Sequence, residues 1–347
     1  MSPGYLSIGA LAVIMGIILL LPFSVKRVES ELEAFLLVMG LVAVTVSGRW
    51  SLGLVGDALT APAGITVAVL LAGLLFRRVR PRLRRAVDDI VWLVGLRPAV
   101  AGFVFLLGLG ASLVTAIIAA LILAEIVNAL PLGRADKVRL VVFACYAIGL
   151  GSALAPWGGP LSAVVIVKLK GPPHFADFFF LARLLGPWLL PGLLLLSGWS
   201  AWRLGPETEA PVPSDDAAEA GSDIVLRSGK VYIFVMALVL LGAGLAPLAE
   251  RAVAQIPAWG LYWLNSASAV LDNATLAAAE IVPALSEKQL LSALLGMLLA
   301  GGMLIPGNIP NIVCAAKLGI RSREWAVVAV PLGLALMGGC FVLLLSL

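Results

Sequence analysis

The sequence predicts an all-α polytopic membrane protein whose core is an inverted repeat with two re-entrant hairpins and two broken helices. Three observations carry that reading. Of 347 residues, 61% are hydrophobic and 13% charged, against about 25% charged in a soluble globular protein. The apolar residues form unbroken runs of roughly the 17–25 residues that a spanning helix needs, not the roughly ten-residue alternating strands of a membrane barrel. Finally, many of the 36 glycines and 21 prolines fall inside apolar segments, where transporters break helices to build their sites.

Taken in order, Tyr5–Phe23, Leu32–Ser47 and Gly64–Phe76 are predicted as simple spans. A basic loop with Arg77, Arg78, Arg80, Arg82, Arg84 and Arg85 follows, so residues 1–89 form a group of scaffold helices. Residues 90–205 form the first repeat core. Its apolar run Ile90–Leu130 is interrupted at Gly108-Leu109-Gly110-Ala111-Ser112, and Val138–Leu169 is broken at Ala155-Pro156-Trp157-Gly158-Gly159-Pro160. A further span ends near Trp202, entered by an interfacial helix from Ala176. Residues 206–229, rich in Pro, Ser, Ala, Asp and Glu, read as a soluble linker. Residues 230–347 repeat the order with a span at Val231–Leu248 and an interruption around Ser266–Thr275 within Pro257–Leu285. A break at Pro306-Gly307-Asn308-Ile309-Pro310-Asn311 and a last span, Trp325–Leu345, complete it.

A short internal match supports the repeat. Ala124-Glu125-Ile126-Val127-Asn128-Ala129-Leu130 recurs as Ala279-Glu280-Ile281-Val282-Pro283-Ala284-Leu285, and each copy ends an interrupted segment. Charge gives the orientation. If both interrupted segments leave on the side they entered, one face holds Lys26, Arg27, the Arg77–Arg85 cluster, Arg134, Lys137, Arg139, Arg203, Arg227, Lys230, Lys317, Arg321 and Arg323. The other face holds Arg49, Lys168, Lys170, Arg251 and Lys288, with Arg97 and Arg183 at depths the sequence leaves open, so the rich face is cytoplasmic. Both termini then lie outside and the linker inside, in a prokaryotic plasma (inner) membrane. Full crossings would leave the topology of the second half unchanged, but arms of roughly 12–15 residues reach only about 18–22 Å and favour re-entrance.

The formal charge of +4 is accounted for by the arginine cluster, which reads as a topology signal and anionic-lipid contact rather than a nucleic-acid surface. Cys145, Cys314 and Cys340 are scattered without metal-type spacing. The basic residues Lys26 and Arg27 follow the first apolar run, the reverse of a cleavable signal peptide.

The chemistry concentrates in the second half. Asp272 is the one acid deep in an apolar segment, within Ser268-Ala269-Val270-Leu271-Asp272-Asn273-Ala274-Thr275. A carboxylate at the bilayer centre costs several kcal/mol unless an ion, water or a partner compensates. With hydroxyls and amides around it, Asp272 offers hard oxygen ligands to a small cation. A cap on the second hairpin arm is the structural role compatible with this. Asn308 and Asn311 flank the other break, where prolines free carbonyls that are themselves cation ligands; a simple kink is the alternative. In the first half, Ser112, Thr115, Gly158 and Ser162 mark a possible second site, which helix packing by small residues explains equally well. Glu125 and Glu280 read either as interfacial or as a proton path, and His174, in a short loop after two prolines, reads as solvated.

The Asp272-Asn273 hairpin resembles that of the NhaD-type sodium/proton antiporters. The Gly307-Asn308-Ile309-Pro310-Asn311 break is similar to the Gly-Asn-Pro-Asn break of the wider ion transporter superfamily. The best overall resemblance is to an uncharacterised prokaryotic family of cation transporters within it. That resemblance implies a homodimer and Na⁺ held near Asp272, Asn273, Thr275, Ser268, Asn308 and Asn311. The expected function is cation/proton antiport by alternating access, with Na⁺ or Li⁺ as transported ion, Asp272 as shared carrier and no cofactor. The alternative is Na⁺-coupled uptake of a small organic anion, against which stands the lack of a midplane Lys or Arg. An enzyme is not expected, because acid chemistry would need a second carboxylate beside Asp272 and His174 is the sole histidine. A passive channel is the remaining class.

Overall fold

A computed structural model describes residues 5–25, 27–28, 31–204, 221–250, 256–270 and 273–346. Among these residues the fold is helical and contains no strand. Four of its helices are long and apolar enough to cross a membrane, at Leu96–Val114, Phe180–Trp202, Ser228–Pro247 and Ser322–Leu345.

The chain opens with α1 (Tyr5–Ser24), α2 (Leu32–Ser47) and α3 (Leu52–Val94). The first two coincide with expected spans. The third corrects the reading of Arg77–Arg85 as a loop, because those residues lie inside one continuous helix of 43 residues. At ~1.5 Å per residue it is about 65 Å long, twice the hydrocarbon core, so it must extend well beyond a bilayer or run along it. Arginine is a good helix former, and its charge alone does not end a helix.

The first half continues with α4 (Leu96–Val114), α5 (Ala116–Ala129), α6 (Arg134–Ser152), α7 (Pro160–Leu169) and α8 (Phe180–Trp202). The interruption expected at Gly108–Ser112 falls instead at Thr115, where φ is +85°. Gly108 serves packing: a Cβ there would stand 3.1 Å from both the Ala147 methyl and the Ala147 carbonyl of α6. Small residues let two apolar helices approach in this way without ending either one. With 19 residues, α4 is longer than the arm expected of a re-entrant segment. Its first turn is polar, since Arg97 donates to the Leu204 carbonyl just beyond α8 at 3.2 Å. The break between α6 and α7 lies where expected, and Pro160 opens α7 in the first turn, where a missing N–H costs nothing. The helix expected from Ala176 is absent; residues 170–179 form turns and irregular chain, and α8 starts at Phe180.

The second half comprises α9 (Gly221–Glu250), α10 (Ala258–Leu264), a 3-10 turn at Asn265–Ala269, α11 (Asn273–Glu280) and α12 (Glu287–Gly301). A 3-10 turn at Ile305–Gly307, α13 (Ile309–Leu318) and α14 (Ser322–Leu345) complete it. The expected linker is thus helical from Gly221, while its residues 206–220 lie outside the described residues. A capping box starts α12: the Gln289 amide donates to Ser286 Oγ at 3.3 Å, and Ser286 N–H donates to Gln289 Oε1 at 3.0 Å. At the C-terminal end of α13, Arg134 of α6 donates to the Leu318 and Gly319 carbonyls at 2.9 and 2.7 Å. The same guanidinium pairs with Glu324 at 2.8 Å.

The helices before the two breaks, α6 and α12, are buried on all sides over most of their length and form the centre of the core. Around them the contacts follow one order twice. Within each half, the first helix of the interrupted pair packs on the pre-break helix, α4 on α6 and α10 on α12. Between halves, the second helix packs on the other half's post-break helix, α5 on α13 and α11 on α7. The preceding long helices behave alike, α3 packing on α5, α9 on α11, and α3 on α9.

Candidate functional site

Both breaks and both interruptions meet at one cavity of about 310 Å³. Thr115 and Ala116 line it from the first interruption, and Ser152 and Trp157–Ser162 from the first break. Asn273 and Ala274 line it from the second interruption, and Asn308 and Ile309 from the second break. Of the residues singled out in the sequence, Thr115, Gly158, Ser162, Asn273 and Asn308 are thus brought together.

The local bonding explains how they are held. Thr115, with φ +85° and ψ 150°, occupies a backbone region that is essentially glycine's own. The turn is pinned by the Ala116 amide, which donates to the Gly158 carbonyl at 2.8 Å. Across the first break, Ser162 Oγ donates to the Ser152 carbonyl at 3.2 Å and Ser152 Oγ to the Gly149 carbonyl at 2.9 Å. These hydroxyls therefore hold carbonyls that the unwound chain leaves without amide donors.

Asn308 precedes α13 without using its side chain as a cap. It reaches α6 instead, where a Cβ on Gly149 would stand 2.6 Å from its Nδ2. Asn273 and Ser268 are buried and hydrogen-bonded to each other. Assigned from its surroundings, the Asn273 amide nitrogen donates to the Gly307 and Met297 carbonyls at 3.2 and 3.1 Å. The second interruption is thereby fastened to the second break.

The remaining candidates lie elsewhere. Asn311 is fully buried beside the cavity rather than on it; its Nδ2 donates to the Gly301 and Leu304 carbonyls at 2.9 and 3.0 Å, and its Oδ1 has no partner. Ser268 stands behind Asn273. Ser112 is on α4 away from the cavity and donates to the Leu109 carbonyl at 2.6 Å. Asp272 lies outside the described residues, as does the side chain of Thr275. Sequence reasoning missed Gly149 and Ser152; the signal available for both was the Gly149-Leu150-Gly151-Ser152 run just ahead of the break.

Glu125 and Glu280 are 4% and 2% exposed, buried within the protein. His174, read as solvated, is half-buried, with Nε2 3.1 Å from the Pro283 carbonyl and 2.9 Å from that of Leu285.

Electrostatically the cavity is shaped by backbone. None of its described lining residues carries a formal charge. The helices α5, α7, α11 and α13 all begin at its wall, through Ala116, Pro160, Asn273 and Ile309. Each helix start carries the equivalent of roughly half a positive charge. The hydroxyl, amide and carbonyl oxygens described above are hard donors, fit for an alkali cation. No group of His, Cys, Asp and Glu suited to a transition metal occurs among the described residues, and the three cysteines are free thiols. No curated protein matches the chain. A family match covers residues 8–347, and the chain belongs to that family, DUF1646, described as a protein of unknown function.

Proposed function

We propose that this protein is a secondary active transporter that exchanges a monovalent cation, Na⁺ or Li⁺, for protons by alternating access. The observation that carries the reading is the meeting of two helix interruptions and two helix breaks on one cavity. Unwound backbone inside an apolar protein is tolerated where it lines a site, and transporters with inverted repeats build their midplane sites this way. The doubled order of packing supports two inverted repeats, with α4–α5 and α10–α11 as hairpins dipping toward the site. The half-helices α7 and α13, of 10 residues each, reach only ~15 Å, about half of a bilayer.

Asp272 immediately precedes Asn273, whose amide lines the cavity. Its carboxylate is the group to bind either a cation or a proton, with Asn273 and Asn308 as oxygen ligands and Ser268 and Asn311 holding those segments in place. A cation or a proton bound there neutralises the carboxylate. On this reading the Lys/Arg-rich face is cytoplasmic and the linker lies inside, and the family resemblance adds a prokaryotic plasma membrane and a homodimer.

One observation favours a second reading. Four helix starts around an uncharged wall would also receive an organic anion without any Lys or Arg, and Na⁺-coupled uptake of such an anion is the alternative. Proteoliposomes separate the two. Antiport gives Na⁺-driven proton movement that Asp272→Asn abolishes. Na⁺-dependent uptake of a labelled small organic anion without proton movement would establish symport instead, and unchanged exchange in Asp272→Asn would remove the assigned carrier.

A further inference from the structure

The arginine run from Arg77 to Arg85 takes no part in the cavity. It lies in the second half of α3, a helix packed into the apolar body on both sides of the run. Ala58, near the start of α3, is buried with Val44 of α2 and Leu240 of α9, and Leu240 belongs to the apolar stretch Ser228–Pro247. Val87 is 2% exposed and part of the main core, with Val91 packed against it. Two further helices, α4 and α5, contact α3. The 29 residues from Ala58 to Val87 take about 44 Å along a helix, more than the ~30 Å hydrocarbon core.

The end of α3 stands at a membrane boundary. After the single residue Gly95 the chain enters α4, and α8 ends beside that point, since Arg97 donates to the Leu204 carbonyl at 3.2 Å. Both α4 and α8 are long and apolar enough to cross a membrane, so their shared end lies at its surface. Trp92 and Leu93 of α3 and Trp202 of α8 are 86, 75 and 72% exposed there, where amphipathic rings settle at headgroup level. The arginines precede Trp92 by 7 to 15 residues, about 10–23 Å. In the hydrocarbon each guanidinium would be penalised. A course straight out into water would carry Val87, and Ala58 beyond it, away from the helices that bury them. The course left to residues 77–94 is along the surface. Arg82 and Arg85 are exposed on it, as are Asp88 and Asp89, and six arginines against two aspartates leave +4 between Arg77 and Asp89.

We propose that residues 77–94 of α3 form an interfacial arm that binds the headgroups of anionic phospholipids, with its arginines on the phosphates and Trp92 and Leu93 in the acyl boundary. The ligand is a lipid because exposed apolar side chains adjoin the charge on the same helix, at the level where two spans end. A free anion would use the arginines alone. Helices that combine a basic stretch with exposed apolar residues hold to anionic surfaces through both terms. Each arginine near such a surface strengthens the association about fivefold. The binding requires only that the protein sit in a membrane, and it is independent of Asp272 and of any transported ion.

The test uses the purified full-length protein in a neutral detergent, with phosphatidylglycerol, phosphatidylcholine or inorganic phosphate added. Binding is read as the shift in thermal midpoint and as lipid retained in native mass spectrometry. Phosphatidylglycerol should stabilise the protein and be retained, and the other two should do neither. Arg82→Gln with Arg85→Gln should weaken phosphatidylglycerol binding roughly 25-fold, while Arg82→Lys with Arg85→Lys keeps the charge and most of the affinity. Wild-type affinity for phosphatidylglycerol should also fall as NaCl is raised, a reading that serves where the Gln pair does not fold. Equal effects of phosphatidylcholine, equal effects of inorganic phosphate, an affinity indifferent to salt, or a folded Gln pair that binds like the wild type would each overturn the proposal. Asp272→Asn should bind phosphatidylglycerol as the wild type does, so failure of the ion assignment and failure of this one remain distinguishable.

Discussion

Lys317 Nζ lies 2.6 Å from Glu125 Oε1, with the two side chains only 11% and 3% exposed. This ion pair joins α13, after the second break, to α5, so it ties the C-terminal part of the chain to the N-terminal part. Removing one partner of a buried ion pair costs about 3–5 kcal/mol, whereas replacing both by apolar groups is often neutral. Glu125→Gln should therefore lower thermal stability sharply in detergent. Glu125→Leu combined with Lys317→Met should restore most of it. A double variant that loses the sum of what Glu125→Leu and Lys317→Met lose singly would mean that the pair contributes nothing as a pair.

Gly149 and Asn308 make the second prediction. A methyl group on Gly149 would meet the Asn308 amide nitrogen at 2.6 Å, so Asn308 must leave its place. Gly149 lies inside α6, where alanine is otherwise better by about 1 kcal/mol. Gly149→Ala is expected to fold as well as the wild type while losing cation-driven flux at least about tenfold, the effect of ~1.4 kcal/mol at the site. Stability by thermal melt and flux in proteoliposomes should thus move independently.

The sequence was most legible where proline supplied the signal. The α6–α7 and α12–α13 breaks stand beside Pro156, Pro160, Pro306 and Pro310, because a missing amide and a blocking ring act locally. Glycine was ambiguous. Gly108 and Gly110 suggested the first hairpin turn, yet Gly108 permits close packing on α6 and the turn sits at Thr115. Small residues serve both purposes in apolar helices, and only the neighbouring helix decides which. Likewise Arg77–Arg85 suggested a loop from its charge, although nothing in arginine opposes a helix. Asn308 stood out from its place beside a break and Asn273 from its place beside Asp272, and both line the cavity. Gly149 was not, because its role is to leave room for a side chain 159 positions later in the chain.

Asp177 gives a pH signature at the surface. The hydrogen bond from Arg183, at 2.8 Å, holds its carboxyl below the usual carboxylate value of 3.8. A lowered folded-state value means that the contribution is present above the unfolded acid's range and is lost as pH falls through the folded value. Asp177→Asn should therefore cost a small amount at neutral pH, reduced by salt because the pair is exposed. The difference from wild type should vanish in strong acid. Melts at neutral and acidic pH, each in low and high salt, check both dependences.

Thr115 makes the sharpest opposition between stability and function. Its φ of +85° and ψ of 150° fall where β-branched residues are strained by about 1–3 kcal/mol. Glycine would adopt this conformation freely, at the cost of greater unfolded-state entropy of up to about 1 kcal/mol. Thr115→Gly is thus expected to be neutral to stabilising, by up to roughly 2 kcal/mol, the difference of those two terms. The same change removes a hydroxyl and a stiff turn from the cavity wall, where Ala116 is pinned to the Gly158 carbonyl. Cation affinity should fall while the melt rises. Thr115→Val separates the causes, since it keeps the strained branch and loses only the hydroxyl. If Thr115→Gly lowers stability and leaves transport intact, the threonine is held by packing and not by the site.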